Sequence, residues 1–364
     1  MKSTFFGVAL SLVPSIGSVL YKRLIDHFKR AEAVFNASIQ ELMEVHGVGH
    51  KTALAIKNFD QETKVEEKLL TAKTANACIL TLEDEDYPAN LLKINNPPSI
   101  LYVKGKIKEA DQFAVAVVGS RIPSEYGRQA ASLISRGLAS EGITIVSGMA
   151  RGIDSISHRE ALRAGGRTIA VLGSGIDVIY PPENKGLFHE IILNGAVISE
   201  LPVSTLPNGI NFPNRNRIIS GLSLGVVIVE AGEKSGSLIT ANYATNQHRK
   251  VFAIPGQIDS MGSRGTNKLI RNGTRLIEDA YDVIEVISPN YMDGKVVRRD
   301  TTKEWNLSEN AKLILTTLKE GPLHIDTVAT RSRLNINEVS SILLNLELDG
   351  LIKHLPGKIF MKNW

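Results

Sequence analysis

The sequence predicts an α/β protein on a mainly parallel sheet, with a helical module before it and a small three-helix unit closed by a hairpin after it. Two observations predict the sheet. Short apolar runs rich in Val and Ile alternate with helical stretches from Ala114 to Ile277, and the runs break off repeatedly into Gly, Ser or Arg. Such alternation means parallel strands covered by helices on both faces, and ligands of these sheets bind at the carboxyl ends of the strands.

The first segment, 1–77, reads as helical. Its opening, Phe5 to Leu20, is moderately apolar but carries Gly7, Pro14 and Gly17 and has no cleavage-like site. It is too short for a membrane span and reads as a buried helical start, so a cytoplasmic protein with no membrane partner is expected. Two related phrases, Val13-Pro14-Ser15-Ile16-Gly17 and Val45-His46-Gly47-Val48-Gly49, each precede a helix, the second with Lys51 beside its start. This is the form of a helix-hairpin-helix or SAM-like module, which either holds a DNA phosphate on backbone amides or keeps the hairpin for packing. Gln61 to Ala77 reads as a charged connecting helix, and Tyr87-Pro88 with Pro97-Pro98 as an extended approach to the next domain.

The central domain is placed at 78–288. Its strands are expected at Ala114 to Val118, Thr144 to Ser147, Thr168 to Leu172, Ala196 to Ser199, Val226 to Glu230 and Val251 to Ile254, and a final helix and strand fall around Lys268 to Ile277. Helices from about Glu183 to Asn194 and from near Ser237 complete an extended Rossmann-like sheet. Residues 289–304 are polar and read as an exposed linker. In 305–364, Leu307, Ala311, Ile314, Leu315 and Leu318 share a helical face, Ile325 to Thr330 is a short second helix, and Asn337 to Leu348 a third that ends at Gly350. A hairpin about Pro356-Gly357 completes a winged-helix domain. Its third helix turns outward Asn337, Glu338, Ser340, Ser341, Asn345 and Glu347 with no cation, which suits a protein contact at least as well as duplex DNA. Arg331, Arg333, Lys353, His354 and Lys358 gather in the loops and wing.

Across its 364 residues the chain is 43% hydrophobic with a formal net charge of +4, values that permit nucleic acid as a partner without requiring it. The single cysteine, Cys78, excludes an internal disulfide framework and, within the apolar run Ala77 to Leu82, reads as a small buried hydrophobe. The sequence shows no Cys/His cluster at ligand spacing, and neither metal nor cofactor is expected.

The candidate chemistry lies at the strand ends. Gly119 lets a ligand approach backbone, the Ser120 hydroxyl and the amides of the following helix donate, and Arg121 offers a permanent forked cation. Ser147 and Gly148 end the next strand, and Lys185 follows Tyr180-Pro181-Pro182-Glu183-Asn184 into the first turn of a helix. Asn214, Arg215, Asn216 and Arg217 read as an Asn-rich turn, and Ser235, Gly236 and Ser237 close another strand end after Glu230. Each has a plain alternative: Lys185 as solvated surface, Arg215 as a buried strut on carbonyls, Ser-Gly-Ser as an ordinary N-cap. Jointly, four loops at one sheet edge supplying small residues and cations favour a shared groove for a phosphate backbone. Aromatic residues are only 5% of the chain, although Tyr180, Phe188 and Phe212 lie in these loops, so phosphate contacts should dominate and affinity should be salt-sensitive and sequence-tolerant.

Gly119-Ser120-Arg121, the run from Ser147 to Asp154, and the phrases Phe212 to Gly221 and Glu230 to Thr240 together resemble the bacterial DNA-processing protein A family, called DprA or Smf. The resemblance implies a single-stranded DNA-binding protein, a homodimer, that protects incoming DNA and helps load the RecA recombinase in natural transformation. It also implies that Arg121 and Lys185 are the principal phosphate-binding cations. A dinucleotide-dependent oxidoreductase would need a G-x-G-x-x-G turn, whereas Arg121, Ile122 and Pro123 stand where the pyrophosphate would pass. The remaining alternative is a nucleotide-processing hydrolase with Asp154, Glu183, Glu200 or Glu230 as acid or base. Asp154 reads as an N-cap and Glu230 as a partner for Arg215 or Arg217, and no nucleophile–base pair, metal motif or Walker sequence is present, so no enzyme is expected.

Overall fold

A computed structural model describes residues 2–60, 62–288, 308–348 and 351–362. The chain divides into two units, 1–291 and 292–364. In the first, six helices open the chain: α1 (Lys2–Leu12), α2 (Ser18–Phe28), α3 (Ala31–Asn36), α4 (Ile39–Met43), α5 (His50–Lys57) and α6 (Glu62–Thr74). The two related phrases are the corners between α1 and α2 and between α4 and α5. Gly47 takes φ +96° at the second corner, a conformation that favours glycine. Tyr21 and Leu24 of α2 are fully buried one turn apart, in the same core as Leu101 and Tyr102 of the sheet.

The sheet has nine strands: β1 (Cys78–Thr81), β2 (Ile100–Gly105), β3 (Ala114–Val118), β4 (Thr144–Ser147), β5 (Thr168–Val171), β6 (Ala196–Ser199), β7 (Gly225–Ile228), β8 (Lys250–Ala253) and β9 (Arg275–Leu276). Their order is β1-β2-β6-β5-β4-β3-β7-β8-β9. β3 to β9 run parallel, whereas β1 and β2 add an antiparallel edge through β6. The helices between strands are α7 (Ala89–Leu92), α8 (Glu125–Ser140), α9 (Ile153–Arg163), α10 (Lys185–Asn194), α11 (Asn211–Leu222), α12 (Gly236–Asn246) and α13 (Arg264–Arg271), and α14 (Ala280–Ile287) follows β9. Side chains alternate across the sheet: Ala114, Ala116 and Val118 belong to one core, Val115 and Val117 to the other. This two-residue period with both faces covered is why β3 reads as a continuous apolar run.

The second unit comprises α15 (Glu309–Thr317), α16 (Ile325–Ser332) and α17 (Ile336–Leu348), with strands β10 (Leu323–His324), β11 (Ile352–Leu355) and β12 (Ile359–Lys362) in the order β10-β12-β11. Gly357 and Lys358, both at positive φ, make the wing turn. Ile314, Val328, Val339, Leu343 and Phe360 form a core of their own. The expected α/β class with a winged helix is therefore present; the linker 289–304, the helix stop at Gly350 and residues 305–307 lie outside the described residues. Among the described residues, no helix is long and apolar enough to cross a membrane.

Two local expectations are corrected. Phe212 to Arg217 is not a turn but the start of α11. Pro213 falls in its first turn, where a missing N–H costs nothing, and Ile218, Ile219 and Leu222 bury against the sheet, which overrides the turn propensity of the asparagines. Cys78 is exposed rather than buried. The alternation of edge strand β1 points Ile79 and Thr81 inward and leaves Cys78 on the opposite face.

Candidate nucleic-acid interface

β3 and β7 are hydrogen-bonded neighbours, yet the chain proceeds from β3 toward β6 on one side and from β7 toward β9 on the other. Strand order reverses here, and such a switch point opens a crevice beyond the carboxyl ends. Two turns face each other across it. The Ser120 amide donates to Glu230 O at 2.8 Å, tying the turn after β3 to the end of β7. A Cβ on Gly119 would lie 3.0 Å from Glu230 O and 2.8 Å from Ile153 Cγ1, so only glycine fits. On the opposite wall, Ser235 Oγ accepts from Ser237 N at 3.4 Å at the head of α12 and lies 2.8 Å from Ser237 Oγ. The cleft between them has a volume of about 840 Å³, with Lys234 exposed at its lip.

Arg121 is exposed in this cleft, its guanidinium 5.5 Å from the centre of the Phe212 ring. That ring lies 5.5 Å from Tyr180 and against Gly173, where a Cβ would approach it to 2.6 Å. At this distance the guanidinium and the ring face attract each other, and both line the cleft. Behind the turn, Gly152 takes φ +74° and presses backbone on backbone, since its Cβ would lie 2.3 Å from Ser120 O. The Ile153 amide donates to that same oxygen at 3.1 Å.

The other expected cations are placed differently. Arg215 is 5% exposed and lines the cleft floor, but Nη1 donates to Gly148 O at 2.7 Å and to Val171 O. Gly148 is where it is because a Cβ there would stand 2.4 Å from that guanidinium. Arg217, 9% exposed, pairs with Glu200 and donates to Asn96 O at 2.8 Å. Both guanidiniums, read from the sequence as contacts for a phosphate backbone, are spent on internal acceptors. Burial pushes the Arg215 guanidinium down to about 10, against the opposing pull of Asp154. Asp154 accepts from the amides of Gly148 at 3.1 Å and Ala150 at 3.3 Å, and burial raises its pKa while Arg215 opposes the shift. It thus clamps the turn ahead of its own helix rather than capping it.

Asn216 lines the cleft, its side chain 3.4 Å from Gly236 O, whereas Asn214 is exposed outside the lining. Ser147 is buried and donates to Val117 O at 2.7 Å. Lys185 opens α10, exposed, beyond the cleft lining. Sequence reasoning missed the Pro207 and Gly209 wall, although Pro207-Asn208-Gly209 is a turn signal. Arg121, Lys185 and Lys234 make no ion pair among the described residues.

The acidic candidates are engaged elsewhere. Glu230 does not hold Arg215 or Arg217; it accepts from the Ser124 amide at 3.1 Å and from the Ser124 hydroxyl, fixing the head of α8. Glu200 is taken by Arg217 and Glu183 by Arg151. His158, one turn after Asp154, is fully buried with Nδ1 2.6 Å from Thr168 Oγ1. Burial, with Arg215 and Arg159 nearby, lowers it to about 3. The unfolded chain binds this proton near pH 6.5 and the folded protein only near 3. Stability should therefore fall as pH drops through that window, by at most about 1.4 kcal/mol per pH unit from this group. His158→Gln should flatten the decline of melting temperature in that window; equal slopes for parent and variant would locate the acid sensitivity elsewhere.

A family model described as DNA recombination-mediator protein A matches residues 78–288. Models for the DprA winged helix domain and for a helix-hairpin-helix motif match 300–358 and 5–69. Protein Smf of Synechocystis sp. is 36% identical, with 98% of this chain and 98% of that protein covered. Protein Smf of Escherichia coli is 37% identical, covering 87% and 85%. The X-ray structure of DNA processing protein A from Streptococcus pneumoniae aligns at a TM-score of 0.67 and 32% identity, over 79% of this chain and 98% of that one. DNA processing protein A from Helicobacter pylori, in a structure described as giving insight into its single-stranded DNA binding mode, aligns at 0.53 and 32% identity, over 60% and 98%.

Proposed function

Because the chain belongs to the DNA recombination-mediator protein A family, the DprA or Smf proteins, we propose that it binds single-stranded DNA in the cleft at the β3/β7 switch point. In this reading it protects incoming DNA in natural transformation and helps load RecA, acting in the cytoplasm as a homodimer and not as an enzyme. The central domain, 78–288, takes the strand, with the modules at 1–77 and 305–364 as appendages. One observation carries the reading: the Gly119-Ser120-Arg121 turn and the Ser235-Gly236-Ser237 turn face each other across one cleft, with Arg121 held over Phe212. Small residues bring backbone amides to a phosphate, and the arginine supplies the charge. The engagement of Asp154, Glu183, Glu200 and Glu230 by other groups favours binding over hydrolysis.

A cleft of turns can follow one backbone but offers no helix to a major groove. Fluorescence titration should therefore show tighter binding to single-stranded than to duplex oligonucleotides at matched salt, with no nucleotide turnover in parallel. Equal affinity for both forms would remove the proposal, and turnover abolished by Asp154→Asn or Glu230→Gln would favour the hydrolase.

A further inference from the structure

Lys185 lies beyond the cleft that holds Arg121, and Arg151 stands on a turn in contact with both the Arg121 turn and the start of α10. Arg151 precedes Gly152, whose backbone presses on the Ser120–Arg121 peptide. On its other side, Asn184 Nδ2 donates to Met149 O at 2.9 Å and to Ser155 Oγ at 2.8 Å, pinning the start of α10 to the turn that bears Arg151. Ala150 and Tyr180, its neighbours, line the cleft. Backbone packing at Gly152 and the Asn184 side chain thus join the segments that bear Arg121, Arg151 and Lys185 in that order. The Arg151 fork is engaged by Glu183: Nη2 donates to Oε2 at 3.2 Å and Nε to Oε1.

This pair differs from the buried arginines in one decisive respect. Its side chains are 53% and 51% exposed, and a solvated pair contributes little to the fold, so either partner can be exchanged. A phosphate presents the same bidentate acceptor geometry as the carboxylate. Resting on the single-strand reading above, we infer that Arg151 carries the phosphate backbone from the cleft to Lys185, and that Glu183 restrains it until a phosphate takes the carboxylate's place. Glu183 then acts by occupying a cation the strand would use, so binding by the parent is weaker than the three cations together would allow.

The test titrates oligothymidylate into the full-length parent, Glu183→Gln, Arg151→Gln and the double variant across a potassium chloride series. Glu183→Gln should bind several-fold more tightly at low salt, with the slope of log affinity against log salt steeper by about 0.7. Arg151→Gln should lose a similar increment, and the double variant should match Arg151→Gln because the carboxylate acts through the arginine. Glu183→Ser repeats the measurement if the amide variant melts early. Unchanged or weakened binding by folded Glu183 variants overturns the inference while leaving the single-strand reading standing. A parent that fails to bind oligothymidylate at any salt overturns both.

Discussion

Replacing Arg121 and Lys185 together by alanine should leave single-strand binding close to undetectable, while the protein melts like the parent. Both side chains are exposed and unpaired among the described residues, so neither contributes appreciably to the fold. Hydrogen bonds to charged groups are among the stronger ones, and losing one such contact should weaken binding roughly tenfold to a hundredfold. Each single variant should bind all base sequences more weakly alike, with the salt slope reduced by about 0.7. The expected asymmetry between the two is informative: Arg121 sits inside the cleft on Phe212, whereas Lys185 lies beyond its lining. Titration with short and long oligonucleotides checks this, because Lys185→Ala should cost more on the long one. Two folded single variants that bind like the parent would place the DNA on another face.

Arg215→Ala should act mainly on stability, a second large effect with a different cause. Its guanidinium is buried, supplies donors to Gly148 O and Val171 O, and its charge opposes the rise that burial imposes on the Asp154 pKa. Removing it leaves those two buried carbonyls without this donor, at a cost of about 1–3 kcal/mol each. Urea denaturation followed by far-ultraviolet circular dichroism reads this loss. Adding Asp154→Asn should recover part of it, because no buried carboxylate then lacks the opposing charge of Arg215. A folded Arg215→Ala variant with parental stability but lost binding would return Arg215 to direct phosphate contact.

Much of this protein was legible in its sequence, and for a local reason. β3 and β6 could be read to the residue because a strand buried on both faces has to be apolar along its whole length, and that run is a local property. The tail was legible in the same way, since the 3.6-residue period of α17 and the Pro356-Gly357 turn need no distant partner to be recognised. β2 was harder. Its run Ile100 to Val103 was not read as a strand, because its partners β1 and β6 lie on either side of it in the chain and the antiparallel pairing is set by tertiary contact.

The sequence by itself determined the parallel sheet and the small-residue turns at its strand ends, which follow from residue type and spacing, and its motifs carried the resemblance to the family. The tertiary structure alone decided which cations remain free. Arg121, Arg151, Arg215 and Arg217 look alike in a linear chain, yet one lies over an aromatic ring, one sits in an exchangeable surface pair and two are locked under the cleft. The partner of a charge is chosen by what the fold brings beside it, and Gly148, Val171 and Glu200 reach those arginines only because β4, β5, β6 and α11 pack at one end of one sheet. Burial then makes those choices permanent, since a desolvated guanidinium cannot abandon its acceptors without leaving them unpaired.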